Sequence, residues 1–440
     1  MQDMKYFFVV AGLFLTGCLV VNTTFDKLPP GPYRGVFYLD GRLSQRVEPE
    51  QIAANFDLED VNRGELPINL ELSYNADSTL HVVLINGDER IEVPDVEYIR
   101  PLETAQDSIT IRFPLIDAYI TGYHEAGVIE GNYVDETRGS YRIPFAAFYG
   151  IGHRFTQLAK APDADLSGRW DVQFGVEDSS SIFIGIGEFE QEGNELRGTF
   201  MTTTGDYRYL EGTVQENRFY MSTFDGAHVF LFSGKIQEDG SLLGIFRSGN
   251  HYSTIWKAQR NEAAVLPDPT QETKVLNPDA SIQLEVFDPK SMESTSVLAK
   301  AEHADKIKVI SLMGTWCPNC MDEARFLDSL RTTVPADEVT FMGLAFEKFR
   351  DTTRSVAAIN RFSENLNLGY PTYLAGSSVK AEATQQLGFL DKVRSFPTLL
   401  IVDERNRVRY VHTGFTGPAT SEYGPFTNAF AKTLQTLIAE

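Results

Sequence analysis

The sequence predicts two structural classes in one chain: antiparallel all-β over residues 33–260 and α/β over residues 281–440. Three observations carry this. Short β-type runs separated by hairpin signals fill the first part. A proline-containing stretch of weak periodicity, "NEAAVLPDPTQETKVLNPDA", then interrupts the pattern. Beyond it, near-continuous apolar strands alternate with helical periods, as they do where strands are buried on both faces.

In chain order, the first element is Lys5 followed by the apolar run "YFFVVAGLFLTGCLVV", which turns polar too soon to span a bilayer core. It reads as an export signal over residues 1–17. Its end, Leu15-Thr16-Gly17-Cys18, resembles the lipobox of bacterial lipoproteins, which implies cleavage before Cys18, lipidation of that residue and a tether over residues 18–32. An ordinary cleaved signal and a short uncleaved anchor are the alternatives. Acyl chains contribute roughly 0.8 kcal/mol per buried methylene, so two or three hold a soluble body at a membrane. The expected location is the extracytoplasmic side of the cell envelope.

Residues 33–160 and 161–260 read as two β units. Asn86-Gly87, Asp239-Gly240 and the turn at Gln191 to Asn194 have hairpin-loop chemistry. The order of strands and turns in residues 112–147 faintly parallels that in residues 220–258, which suggests related units. Trp170 and Trp256 bracket the second unit, a small barrel or sandwich. Gly-x-Trp openings also occur in ligand-binding barrels of lipocalin type, but large aromatics commonly fill small barrels, so both tryptophans are expected in the core. Residues 261–280 read as a linker.

In the last part, "KIKVISLMG" and "VTFMGLAF" are strands flanking the helix "CPNCMDEARFLDSLRTTV", with Cys320, Ala324, Leu327 and Leu330 on one face and Pro318 in the first turn. A second helix, a short strand, a third helix, the hairpin "TLLIVDERNRVRYVHTG" and a closing helix follow.

Composition bounds the function. Lys plus Arg number 39 against 61 Asp plus Glu, a net charge of −22, which repels nucleic-acid phosphates, so no nucleic-acid partner is expected. With Cys18 given to lipid, only Cys317 and Cys320 of the three cysteines remain. No disulfide framework is possible, and such a pair in an oxidising compartment cycles between dithiol and disulfide. A zinc clamp would need further ligands, and His303 and His412 stand at unhelpful spacings, so no metal or other cofactor is expected. His412 and Asp403 read as serving the hairpin, and Glu347 as a strand-end polar residue.

A cysteine at a helix N-terminus faces unpaired N–H groups and the positive end of the helix dipole, which favours its thiolate. Cys317 is therefore the expected nucleophile. Cys320, one turn along, is placed to resolve a mixed disulfide.

Trp316-Cys317-Pro318-Asn319-Cys320 at a helix start, Gly314-Thr315 before it, Glu323 after it and Ser395-Phe396-Pro397-Thr398 before the hairpin together resemble the thioredoxin fold. The likeness is to the TlpA/ResA-like branch of membrane-tethered, exported thiol-disulfide oxidoreductases, over Ile282 to Glu440. The resemblance implies that Pro397 is cis and faces the cysteines, and that Trp316, Pro318, Phe396 and Pro397 contact the substrate. It implies a buried acid six positions before the nucleophile, where Ser311 stands instead, and a proline where Arg325 stands. Glu323 is the candidate proton acceptor for Cys320; its alternative is a solvated first-turn carboxylate. The expected partners are disulfide-containing exported proteins and a membrane electron-relay protein. An oxidase or isomerase would use the same residues, and the β half could instead capture a partner or serve as a stalk.

Overall fold

The computed structural model describes residues 28–40, 64–100 and 107–440. The apolar leader and Cys18 lie outside them. Among the described residues no helix is long and apolar enough to cross a membrane.

The first unit has nine strands: β1 (Gly31–Tyr38), β2 (Glu65–Tyr74), β3 (Leu80–Asn86), β4 (Glu89–Val93), β5 (Val96–Ile99), β6 (Asp107–Phe113), β7 (Ala118–Glu125), β8 (Val128–Asp135) and β9 (Arg142–Tyr149). They form one antiparallel sheet in the order β4-β3-β2-β1-β9-β8-β7-β6-β5. Strict alternation of buried and half-buried residues in β3 gives the sheet one core face. At the Asn86-Gly87 turn, Gly87 takes the left-handed backbone that the hairpin requires.

The second unit comprises β10 (Gly168–Phe174), β11 (Phe183–Glu192), β12 (Glu195–Thr202), the two-residue β13 (Gly205–Asp206), β14 (Leu210–Gln215), β15 (Arg218–Phe224), β16 (Val229–Ile236), β17 (Leu242–Ser248) and β18 (Tyr252–Arg260). Its order is β11-β10-β18-β17-β16-β15-β14-β12-β13, and β11 also pairs with β12, so the sheet closes into a barrel. The two units share a winding plan. In each, the first strand pairs with both the second and the last, and only the first unit keeps a seam, between β4 and β5.

The barrel is filled. Trp170, Phe174, Phe189, Phe200, Phe219, Phe232, Phe246 and Trp256 form its core, with Phe200 stacked on Phe232 at 4.3 Å and Phe232 on Phe246 at 4.5 Å. The tryptophans are thus core residues, as expected. The flank of this barrel is in turn the floor of the first unit: Phe224 lies 4.8 Å from Phe37 and 5.5 Å from Tyr133, whose hydroxyl donates to the Gly226 carbonyl.

The third sheet runs β20-β19-β23-β22-β21-β24-β25, with β19 (Glu285–Asp288), β20 (Glu293–Ser296), β21 (Ile307–Met313), β22 (Val339–Glu347), β23 (Thr372–Ser377), β24 (Thr398–Val402) and β25 (Val408–Thr413). β21, β22 and β23 are parallel; β24 runs antiparallel to β21, and β25 antiparallel to β24. Helices α1 (Pro318–Arg331), α2 (Thr352–Asn365), α3 (Lys380–Leu387) and α4 (Tyr423–Ile438) complete the unit. Every residue of β21 is buried, which explains its unbroken apolar run.

Residues 261–280 do not hang free between the units. Ala264 joins a cluster with Ile186 and Met201 of the barrel, while Thr413 donates its amide to Pro269 and its hydroxyl to Thr273. Val275 pairs with Leu390. The linker is bonded on both sides: Asn261 donates its amide to Arg169 of the barrel and Leu276 its amide to Phe389.

The filled barrel makes a stability prediction. Trp256→Ala should lower unfolding stability by about 3–5 kcal/mol, as buried Trp deletions do, whereas Ile255→Ala on the outer face should stay within about 0.5 kcal/mol. Denaturant midpoints read by fluorescence decide between these outcomes.

Candidate active site

The site lies where β21, β22 and β24 bring their ends to the start of α1. β21 leads through Gly314-Thr315-Trp316 into Cys317, the N-cap of α1, which keeps an extended backbone. The Cys317 Sγ accepts the Cys320 amide at 3.3 Å, taking up one of the N–H groups that a helix start leaves unpaired. Its thiol also reaches the Phe396 carbonyl at 3.5 Å. Pro318 occupies the first helical position, where no amide hydrogen is required. Both cysteines are free thiols.

The Phe396–Pro397 peptide is cis, as the resemblance implied. The Phe396 ring stacks on Phe346 at 5.2 Å and stands edge-on to Trp316 at 6.1 Å. The Trp316 indole donates to the Phe346 carbonyl at 3.0 Å, and the Lys348 ammonium sits 4.7 Å from its ring centroid. Trp316, Pro318, Phe396 and Pro397 therefore surround Cys317.

Cys320 is buried beneath it, and burial together with the neighbouring Cys317 sulfur pushes its thiol well above the ordinary range. Glu323 is fully buried rather than solvated. Burial raises its carboxyl to about 8, opposed by a hydrogen bond from the Ser311 hydroxyl at 2.5 Å. Two readings meet here: Ser311, standing where an acid was expected, is the hydrogen-bond partner of the acid that lies one turn beyond Cys320. The second oxygen of Glu323 has no hydrogen-bond partner among the described residues.

Sequence reasoning missed the role of Glu347. Its carboxylate is buried and accepts both the amide and the hydroxyl of Thr315, at 3.0 and 2.9 Å, fixing the loop that carries Trp316 and Cys317. Burial raises it to about 7. The signal was recoverable from register: Met313 of β21 lies opposite Ala345 of β22, and two residues further on Thr315 faces Glu347. Asp322, exposed on a helical wheel, was also missed; it accepts the buried guanidinium of Arg208 from the barrel.

The remaining titratable residues serve the fold. His303 bonds to Thr340 and Tyr373, His412 to the Gly414 carbonyl, and Asp403 closes the β24–β25 turn on Arg405 and Arg407. Among the described residues no group of three or more His, Cys, Asp or Glu is arranged to hold a metal ion.

No family model matches the sequence, and no curated protein matches it significantly. Solved structures are similar over part of the chain. A DsbF homologue from Corynebacterium diphtheriae matches at 20% identity and TM-score 0.29, covering 39% of this chain and 97% of that one. A thioredoxin-family thiol:disulfide interchange protein from Chlorobium tepidum TLS matches at 17% identity and TM-score 0.28, covering 38% and 99%. A secreted thiol-disulfide isomerase from Corynebacterium glutamicum matches at 14% identity and TM-score 0.29, covering 40% and 96%.

The buried Glu323 generates a pH prediction. Between the ordinary glutamate range and about 8 the folded chain keeps a proton that the unfolded chain releases, so this group's contribution to stability falls as pH rises through that window. Glu323→Gln removes the effect. The loss of stability between about pH 5.5 and about pH 8.5 should shrink by roughly 3 kcal/mol in the variant relative to the unaltered chain. Parallel slopes in equilibrium unfolding would show that Glu323 titrates normally.

Proposed function

We propose that this chain is an exported, lipid-anchored thiol-disulfide oxidoreductase of the TlpA/ResA-like kind, which reduces disulfides in other exported proteins. The observation that carries the reading is the cysteine pair at the start of α1, with Cys317 against the Phe396 carbonyl before Pro397 and Cys320 one turn above a buried carboxyl. The sequence at Leu15–Cys18 supports the anchor.

The chemistry follows from these positions. The Cys317 thiolate attacks one sulfur of a client disulfide; that S–S bond breaks, and the departing client sulfur takes up a proton. Cys320, its proton passed to the ionised form of Glu323, then attacks the Cys317 sulfur. The mixed disulfide breaks, the client leaves as a dithiol with two electrons gained, and Cys317–Cys320 becomes the disulfide. A membrane dithiol relay returns two electrons and two protons to restore the pair. No cofactor enters the exchange.

Cys317→Ser should abolish disulfide reduction, while Cys320→Ser should accumulate a mixed disulfide that survives non-reducing electrophoresis. Glu323→Gln should slow client release by about 10²-fold, the scale of general acid–base assistance. The reduction potential of the pair, measured by alkylation gel shift on a soluble chain beginning near Asp26, tests the direction. A value near or below roughly −250 mV belongs to a reductase, and one of about −120 to −180 mV to an oxidase or isomerase. Failure to form any disulfide would end the redox reading.

A further inference from the structure

A disulfide exchanger meets its client at the surface, because the client sulfur must approach the nucleophile along its own S–S axis. In this chain that surface is covered. Cys317 is 8% exposed, and Pro318, Asn319, Ser395, Phe396 and Pro397 are buried.

The cover comes from the barrel, at the turn between β12 and β14. The Asn319 side chain, between the two cysteines, donates to the Asp206 carbonyl at 3.2 Å. The Ser395 hydroxyl, beside Phe396, donates to the Thr204 carbonyl at 2.9 Å. Gly417 donates its amide to the Asp206 carboxylate at 2.6 Å. The approach is close enough that side chains are excluded: a Cβ on Gly205 would stand 2.2 Å from the Asn319 amide nitrogen, and one on Gly414 would stand 2.9 Å from the Thr204 carbonyl carbon. The turn thus touches the cysteine motif, the segment before Pro397 and the loop after β25 together.

It is also clamped. Alternate residues point opposite ways: Tyr207 faces the barrel interior against Phe230 and Phe246, and Arg208 faces the redox unit. The Arg208 guanidinium, with Asp206 bonded to its amide, meets Glu89 of the first unit at 2.5 Å, Asp225 of the barrel at 3.4 Å and Asp322 of α1, and reaches the Pro318 carbonyl at 3.5 Å.

We propose that the turn Thr202–Arg208 is a built-in occupant of the client groove, so that a polypeptide disulfide reaches Cys317 only when this turn withdraws from Asn319 and Ser395. The inference rests on the redox reading of Cys317 and Cys320. The client it defines is an extended segment that takes over the hydrogen bonds now held by the Thr204 and Asp206 carbonyls. Buried in this way, the pair is shielded from indiscriminate exchange with folded proteins.

The test compares two thiol reagents of the same chemistry and different bulk, N-ethylmaleimide and a polyethylene-glycol maleimide, on the reduced full chain carrying Cys18→Ala. Labelling is assigned to Cys317 by peptide mapping, and the ratio of the two rates cancels any difference in thiolate fraction. The folded chain should prefer the small reagent by about tenfold or more over the ratio in denaturant, as expected for a thiol exposed only by a local opening. Gly205→Ala, which drives a methyl group into Asn319, should bring the ratio down toward the denatured value and speed insulin reduction by a similar factor, with circular dichroism and thermal midpoint verifying the fold. An unaltered chain whose ratio already equals the denatured value overturns the proposal without any variant. So does a folded Gly205→Ala chain that labels freely yet gains no insulin reduction. Disulfide formation in oxidised glutathione is scored separately, so a chain whose cysteines never oxidise refutes the redox reading and leaves the labelling result to judge the cover.

Discussion

The arrangement of the three units depends on one guanidinium. Arg208 is buried among Glu89, Asp225 and Asp322, one carboxylate from each unit, with Asp206 beside them. Four carboxylates brought together without it would repel one another in a poorly screened interior, and removing one partner of such a network typically costs about 3–5 kcal/mol. Burial already raises Asp206 to about 6 and pushes Glu89 upward, while hydrogen bonds and the adjacent His228 hold Asp225 down at about 2. The carboxylates are thus unequal: Asp225 is held on its charged side, whereas burial disfavours the charged forms of Asp206 and Glu89 and Arg208 opposes that burial.

The same exclusion of water shapes the cysteine site. Cys320, Glu323 and Glu347 all have their proton-bearing forms favoured, and in each the dominant cause is burial. Glu323, raised to about 8, and the Cys320 thiol thus both resist ionisation. The packing around the start of α1 therefore governs protonation as well as shape.

The cysteine pair, the helix that begins with it and the hairpin beyond Pro397 were legible because their signals are local. Proline at the first helical position, the face formed by Cys320, Ala324, Leu327 and Leu330, and the Asn86-Gly87 and Asp239-Gly240 turns each announce themselves within a few residues. The winding of the β units was legible only as a run of hairpins. The β1–β9 and β10–β18 pairings join residues more than eighty positions apart, and no short pattern encodes them. "TTTGDYR" reads as an ordinary turn; its meaning comes from Asn319 and Ser395, more than a hundred residues away. Residues 261–280 read as a linker, and they do join the barrel to the third unit; that the segment is also strapped down depends on partners such as Thr413 and Leu390, which are distant in sequence.

The aromatic interior of the barrel has a mechanical consequence. A closed sheet has no free edge along which to unzip, and rings stacked at 4.3 to 4.5 Å leave no room for its strands to slide. Tyr207 is rooted among those rings, so the barrel holds the turn from one side while the Thr204 and Asp206 carbonyls engage Ser395 and Asn319 on the other.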